Sequence, residues 1–418
     1  MSGNGLLLYI DPGTGSMLFA VLIGIFGALG YIIRIAFLKL RFIATGGKKK
    51  DVDGDKIPIA IFSDNKRYWP VFEPLCREFD KRGVDVVYMT ASSDDPVLNC
   101  GLEHIKGQFI GENNKAFSRL NFLNATILLS TTPGLDVYQW KRSKKVDYYI
   151  HIPHAAGEIC FYRMFGLDYY DSVILAGDFQ ERQIRELEKK RNLPAKDLYF
   201  GGVPYMDQMV KRLKDSGEVA PHDTTVLIAP TWGTVSIFNR FKGEIIKHLL
   251  EETDYHIIIR PHPQSFESEK ELMDELMKEF PESDRLEWNR DVDNFEVLKR
   301  SDVLVSDFSG VVFDFALVYD KPIIYTDTEF DTAPYDLWWL DEEVWTLGAL
   351  EKLGKKLTSD NMSDIKKLVE EVMSSSEFAE GRKQVRNECW KYYGEGTERC
   401  VDYIMNKYNE LKPSEQAE

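Results

Sequence analysis

Cysteine is scarce in this chain of 418 residues: Cys76, Cys100, Cys160, Cys389 and Cys400 are all there are, and no two stand in CxxC spacing. An odd number at wide spacing excludes a closed disulfide framework and offers no zinc-ligand pattern, so buried, reduced thiols are expected. Positive charge is also in deficit. The 52 Lys and Arg face 68 Asp and Glu, a net charge of -16, which argues against nucleic acid as a partner because such binding needs a basic face to displace counterions. There is no internal repeat and no low-complexity tract. No Asp-rich or His/Cys cluster demands a metal, and none is assigned, nor is any cofactor.

Charge is missing altogether from Met17 to Ile33, "MLFAVLIGIFGALGYII", and the apolar character continues past Arg34 through Leu38. With its flanks this reaches the roughly 20 residues that span a bilayer. A cleaved signal peptide would put its basic residues first. Here Lys39, Arg41, Lys48, Lys49 and Lys50 follow the run, and only Asp11 precedes it. The positive-inside rule therefore predicts a single-pass anchor in the cell membrane with the main body in the cytoplasm. Residues 1–45 form this anchor and 46–56 a polar linker.

Beyond the linker the pattern alternates. "IPIAIF", "VDVVYMT", "ATILLSTT", "DYYIHIPH" and "SVILAG" are short β-rich runs separated by polar or helical sequence. The polar stretch "VKRLKDSGEVAPHD" reads as an interdomain linker, after which "TTVLIAP", "YHIIIRPH", "RLEW", "DVLVS" and "PIIY" restart the series. Such alternation predicts α/β architecture with mostly parallel sheets covered on both faces. A chain of this length also exceeds what one core usually supports. The expected organisation is two doubly wound Rossmann-like lobes, 57–215 and 222–385, closed by a C-terminal helix and tail at 386–418.

In open parallel sheets, ligands bind outside the carboxyl ends of the strands. In the second lobe those ends carry Thr231, then Arg260 and His262 in "RPHP", then Ser306, Asp307, Ser309 and Gly310 in "SDFSG". A helix starting near Gly310 would aim free N–H groups at the space beside Ser309, where a phosphate fits; the plainer alternative is that Ser309 or Asp307 only caps that helix. His262, fixed between two prolines, would face the same anion. The first lobe offers His151 and His154 in "HIPHAAGE", either of which suits general base chemistry near neutral pH, His154 having the smaller neighbours. Glu158 either orients a histidine or sits at a helix start.

"VLIAPTWG", "RPHP" and "SDFSGVVFDFALVYDKPIIY", in this order, resemble the CDP-glycerol glycerophosphotransferase family of teichoic acid synthesis, over roughly His151 to Tyr325. That resemblance implies a GT-B fold with the nucleotide diphosphate in the second lobe and the acceptor in the first. It implies that His262 and Ser309 contact the diphosphate, that Thr231 and Trp232 line the donor lobe, and that His154 stands where the family has a histidine-glycine motif. Ala155 and Ala156 follow His154 in place of the family's Gly and Thr, and Gly310 replaces a second serine.

The function expected is transfer of an alditol phosphate, glycerol phosphate first among them, from a CDP-alditol donor to a hydroxyl on a lipid-linked or polymeric acceptor at the membrane. His154 and His262 are the expected catalytic residues, and Thr231, Arg260, His262, Ser306, Asp307, Ser309 and Gly310 the expected donor-binding set. Two alternatives stand beside it. One is a GT-B glycosyltransferase or nucleotide-sugar epimerase with another donor; the other is a membrane-tethered binding protein without catalysis.

Overall fold

The computed structural model describes residues 56–412, apart from 292 and 327–331. The apolar run expected to anchor the chain lies outside these residues. Among the described residues, no helix is long and apolar enough to cross a membrane.

Two all-parallel sheets organise the described chain. The first contains β1 (Ile57–Ser63), β2 (Val86–Thr90), β3 (Ile105–Phe109), β4 (Asn124–Ser130), β5 (Lys145–His151), β6 (Ser172–Leu175) and β7 (Asp197–Phe200). Their order across the sheet is β3-β2-β1-β4-β5-β6-β7. The second contains β8 (Thr225–Ile228), β9 (His256–Ile259), β10 (Leu286–Trp288), β11 (Val303–Ser306), β12 (Ile323–Thr326) and β13 (Gly354–Leu357), in the order β10-β9-β8-β11-β12-β13. Each sheet thus reverses its winding once, between β1 and β4 in the first and between β8 and β11 in the second. The crevice at such a reversal is where open α/β sheets take ligands.

The central strands are apolar on both faces because helices cover both. β8 and β11 are buried along their whole length. The helix Trp69–Lys81 shows how the cover is made: Pro70 opens it, and Val71, Phe72, Leu75, Cys76 and Phe79 recur at three- and four-residue spacing and are buried. That spacing makes a single apolar stripe. One hydrophobic cluster runs through both lobes, from Phe72 and Leu75 to Phe315 and Leu350, while separate clusters fill the outer face of each sheet.

The polar stretch expected to link the lobes is shorter than its composition suggested. The helix Pro204–Asp215 runs through its first half, buries Val210, and leaves 216–224 as the connecting coil. The chain later crosses back: the helix Gly396–Leu411 packs on the first lobe, where Tyr403 stacks on Tyr199 at 4.4 Å between centroids and shares a 2.6 Å hydrogen bond with Ser172. All five cysteines are free, and only Cys100 is not fully buried.

Candidate active site

At the reversal of the second sheet, side chains tie β8 to β11. Ser306 Oγ donates to the Ala229 carbonyl at 2.7 Å. Asp307, wholly buried, accepts the Thr231 N–H at 3.0 Å on each oxygen and the Ser309 N–H at 3.2 Å. Burial pushes this carboxyl up to about 7, against the pull of those N–H donors. Ser306 and Asp307 therefore face inward, hold the Thr231 loop against the Ser309 turn, and shape the donor side of the cleft without lining it.

The residues that do reach the surface here are Thr231, Trp232, His262, Ser309 and Gly310. The rings of Trp232 and His262 lie 6.4 Å apart. His262 Nδ1 accepts the Gln264 N–H at 3.1 Å, so in the neutral ring the proton sits on Nε2. Burial, and then the charge of Arg67, lower the pKa of His262. The imidazole is therefore a neutral donor at physiological pH. Arg260 is turned sideways: its guanidinium bonds the Asn289 side chain and, at 2.8 Å, the Asp291 carbonyl, bracing β9 against the loop after β10.

The helix after Gly310 is shorter than expected. A single α-turn, Val311–Phe313, passes directly into a wider π-turn, Asp314–Val318. Its dipole is accordingly small. What the turn still offers is local: the Val312 and Phe313 N–H groups are bonded back to Ser309 and Gly310, while those of Gly310 and Val311 stay at its open end. Gly310 has an ordinary helical φ of -57°, and a Cβ there would meet only Ala155 Cβ, at 3.6 Å. Backbone freedom is thus not what this position requires.

In the first lobe the two histidines differ in kind. His151 is wholly buried, with Nε2 3.2 Å from the Tyr162 hydroxyl and Nδ1 without a partner. Burial, and then the neighbouring His154, push its pKa well down. His154 is part-exposed though densely surrounded. Its Nδ1 lies 3.4 Å from both Thr131 Oγ1 and the Tyr162 hydroxyl, and its ring is 5.1 Å from that of Tyr68. Nε2 makes no hydrogen bond among the described residues. Burial, followed by the charge of Arg67, pulls this imidazole down to about 4.

Two charged residues at this end of the first sheet were not singled out from the sequence. Asp64 and Arg67 follow β1, at the reversal of the first sheet, and the strand-end rule applied to β1 would have found them. Asp64 Oδ1 is buried without a hydrogen bond, as is Thr132 Oγ1 after β4; the two side chains still lie close enough for the hydroxyl to oppose the effect of burial, which raises the Asp64 pKa. Glu158 turns out to be a helix-start carboxylate. It accepts the N–H groups of Trp345 at 2.7 Å and Thr346 at 2.9 Å, opening the helix Trp345–Leu353.

The lobes meet beside these groups. Ala155 faces Gly310, and a Cβ on Gly157 would come within 3.0 Å of the Phe313 ring. Tyr205 donates to Asp314 at 2.8 Å nearby. The loop carrying His154 is thereby packed against the turn carrying Ser309. Among the described residues no group of His, Cys, Asp and Glu could hold a metal ion. A cavity of about 460 Å³ beside Trp338, Val344 and Leu347 contains none of these residues.

Residues 167–406 match the model of the CDP-glycerol:poly(glycerophosphate) glycerophosphotransferase family. The chain belongs to that family. It is also 25% identical over 222 residues to the teichoic acid glycerol-phosphate primase of Bacillus spizizenii, covering 50% of this chain and 52% of the primase. It thus spans about half the length of that relative. The wall teichoic acid polymerase TagF matches with a TM-score of 0.53 at 15% identity, over 90% of this chain and 98% of that one. A variant of the polymerase soaked with CDPG matches with a TM-score of 0.55 at 14% identity, over the same shares of the two chains. The UDP-GlcNAc 2-epimerase of Methanocaldococcus jannaschii matches with a TM-score of 0.54 at 14% identity, over 83% and 99%. These likenesses show a GT-B-like fold of two parallel sheets. Polymerase and epimerase share it, so the fold does not select the reaction.

Proposed function

We propose that this member of the family transfers an alditol phosphate, glycerol phosphate by preference, from a CDP-linked donor to a hydroxyl of a membrane-associated acceptor in the synthesis of a teichoic acid-like polymer. The observation that carries the reading is the packing of the His154 loop on the Ser309–Gly310 turn, with Ala155 at 3.6 Å from where a Gly310 Cβ would lie. It brings a base whose Nε2 makes no hydrogen bond among the described residues beside a turn whose Gly310 and Val311 N–H groups have no backbone partner among them.

On this reading the acceptor oxygen attacks the β-phosphorus while its proton passes to His154 Nε2. The bond from the β-phosphorus to the bridging oxygen breaks, CMP leaves, and a phosphodiester remains. His262 Nε2–H, the Ser309 hydroxyl and the N–H groups of Gly310 and Val311 are the donors to the developing negative charge, the preorganised electrostatics on which such transfer depends. Thr231 and Trp232 line the donor pocket, and Ser306 and Asp307 keep its two loops in register.

Incubating the full-length protein with CDP-glycerol, CDP-ribitol and UDP-sugars, with membranes as acceptor, tests the reading. CMP release supports it, UDP release assigns a sugar-nucleotide enzyme, and binding without release assigns a catalytically silent protein. The apolar run from Met17 to Ile33 would anchor the enzyme with its body in the cytoplasm, beside an acceptor carried on lipid. A reporter fused after Glu418 should then be active only if it works in the cytosol; activity of an extracytoplasmic reporter there would reverse the topology.

A further inference from the structure

Arg67 lies on a short 3-10 turn, Lys66–Tyr68, that follows β1, and the Asn65 side chain accepts its N–H at 3.0 Å. Its guanidinium carbon stands 5.0 Å from the centre of the Tyr68 ring, and that ring stands 5.1 Å from the ring of His154. The three side chains form a file ending at the first-lobe histidine. The charge of Arg67 also reaches His262, on the other sheet, and lowers its proton affinity as it does that of His154. Arg67 is thus the cation common to both halves of the cleft.

The neighbouring Lys66 is paired with Asp94, whereas Arg67 is exposed and makes no ion pair among the described residues. Asp64 attracts it without reaching it, and the carboxylate's own Oδ1 remains unbonded. Tyr68 offers it a ring face and a hydroxyl, and no countercharge. An exposed guanidinium with no ion pair among the described residues, whose charge reaches the histidines of both lobes, is suited to planar two-pronged recognition of phosphate.

We propose that Arg67 is a catalytic residue of the transfer, binding the β-phosphoryl group of the donor from the first-lobe side while His262 and Ser309 hold it from the second. The inference rests on the CDP-alditol reading above and adds to it a first-lobe phosphate contact. As the acceptor oxygen bonds to the β-phosphorus and CMP departs, the equatorial oxygens gain charge, which Arg67 meets. Pairing with phosphate also neutralises the field that Arg67 exerts on His154. Donor binding thereby strengthens the base when a proton must be taken.

The test compares two nucleotides that differ by the β-phosphate. Binding of CMP and CDP is titrated in the full-length protein and in Arg67→Ala and Arg67→Lys, and CMP release from CDP-glycerol is measured in parallel. Arg67→Ala should bind CDP about 10-fold or more weakly, a charged hydrogen bond being lost, while CMP binding changes less than about 3-fold by the same reasoning. Turnover should fall about 100-fold or more, with Arg67→Lys between. Unchanged CMP binding reports that the variant is folded. Equal weakening of both nucleotides, or of neither, overturns the role of Arg67 and leaves the CDP-alditol reading standing. A wild-type protein that binds neither nucleotide overturns both.

Discussion

Replacing His154 with alanine is expected to slow transfer by roughly 100-fold to 10,000-fold, the usual worth of a general base, while CDP affinity stays within about a few-fold. His151→Ala should instead lower stability and spare most of the activity, because His151 is wholly buried and shares the Tyr162 hydroxyl with His154. Measuring turnover and CDP binding in both variants decides the matter. If His151→Ala is the inactive variant, the base has been assigned to the wrong ring.

The same residue sets a pH expectation. With its imidazole pulled down to about 4 by burial and then by Arg67, His154 is already unprotonated well below neutrality. The acid limb of kcat/KM that belongs to it should fall nearer pH 4 than the ordinary histidine value of about 6.5. The sign for stability follows from linkage. The unfolded chain binds the proton near pH 6.5 and the folded chain only near pH 4, so the contribution of this group is complete above pH 6.5 and declines as pH falls between the two. An acid limb at the ordinary histidine value would mean that His154 is not held in this environment.

The largest loss of stability is expected at Arg191. Its side chain is 4% exposed and pairs with Asp168 and Asp336, 8% and 2% exposed. Asp336 also accepts the N–H groups of Phe165 at 2.7 Å and Gly166 at 3.1 Å. Arg191→Ala would strand two buried carboxylates, and removing one partner of a buried pair costs about 3–5 kcal/mol. Burial already raises the Asp336 pKa even with Arg191 present. Without the guanidinium the folded value rises further, so the folded variant holds a proton where the unfolded chain has lost it. The deficit should therefore be greatest near neutrality and shrink on acidification through the carboxylate range. Chemical denaturation at two pH values measures it; a loss under about 1 kcal/mol would show that the pair is weak.

What the sequence disclosed depended on where a strand sits. β1, β4, β8, β11 and β12 lie inside their sheets and read as unbroken apolar runs, because both faces are covered. β3, β7 and β13 escaped the sequence reading, and all three are edges. "IKGQF", "DLYF" and "GKKL" keep solvent on one side and carry the polar and charged residues that edges need, so the apolar signal is diluted.

The candidate site was legible for a similar reason and to a similar degree. Rigid strand ends announce themselves, so His154, His262 and Ser309 stood out. The direction in which a side chain points did not: Ser306 and Asp307 share a motif with Ser309 and yet face the interior, and Arg260 turns toward β10. Asp64 and Arg67 follow an apolar strand in a short polar turn whose composition resembles any surface loop, and only their place at the end of β1 marks them.

The return of the helix Gly396–Leu411 to the first lobe has a consequence for synthesis on the ribosome. That lobe begins with β1 at Ile57 but borrows Tyr403, Cys400 and Ile404 from the helix Gly396–Leu411 to cover its sheet and helices. The second lobe is contiguous and can close as it emerges; the first must wait, with part of its apolar surface bare, until the helix Gly396–Leu411 has left the exit tunnel. N-terminal segments usually fold first during translation. Here the order is inverted, and of the two lobes the one made first is completed last.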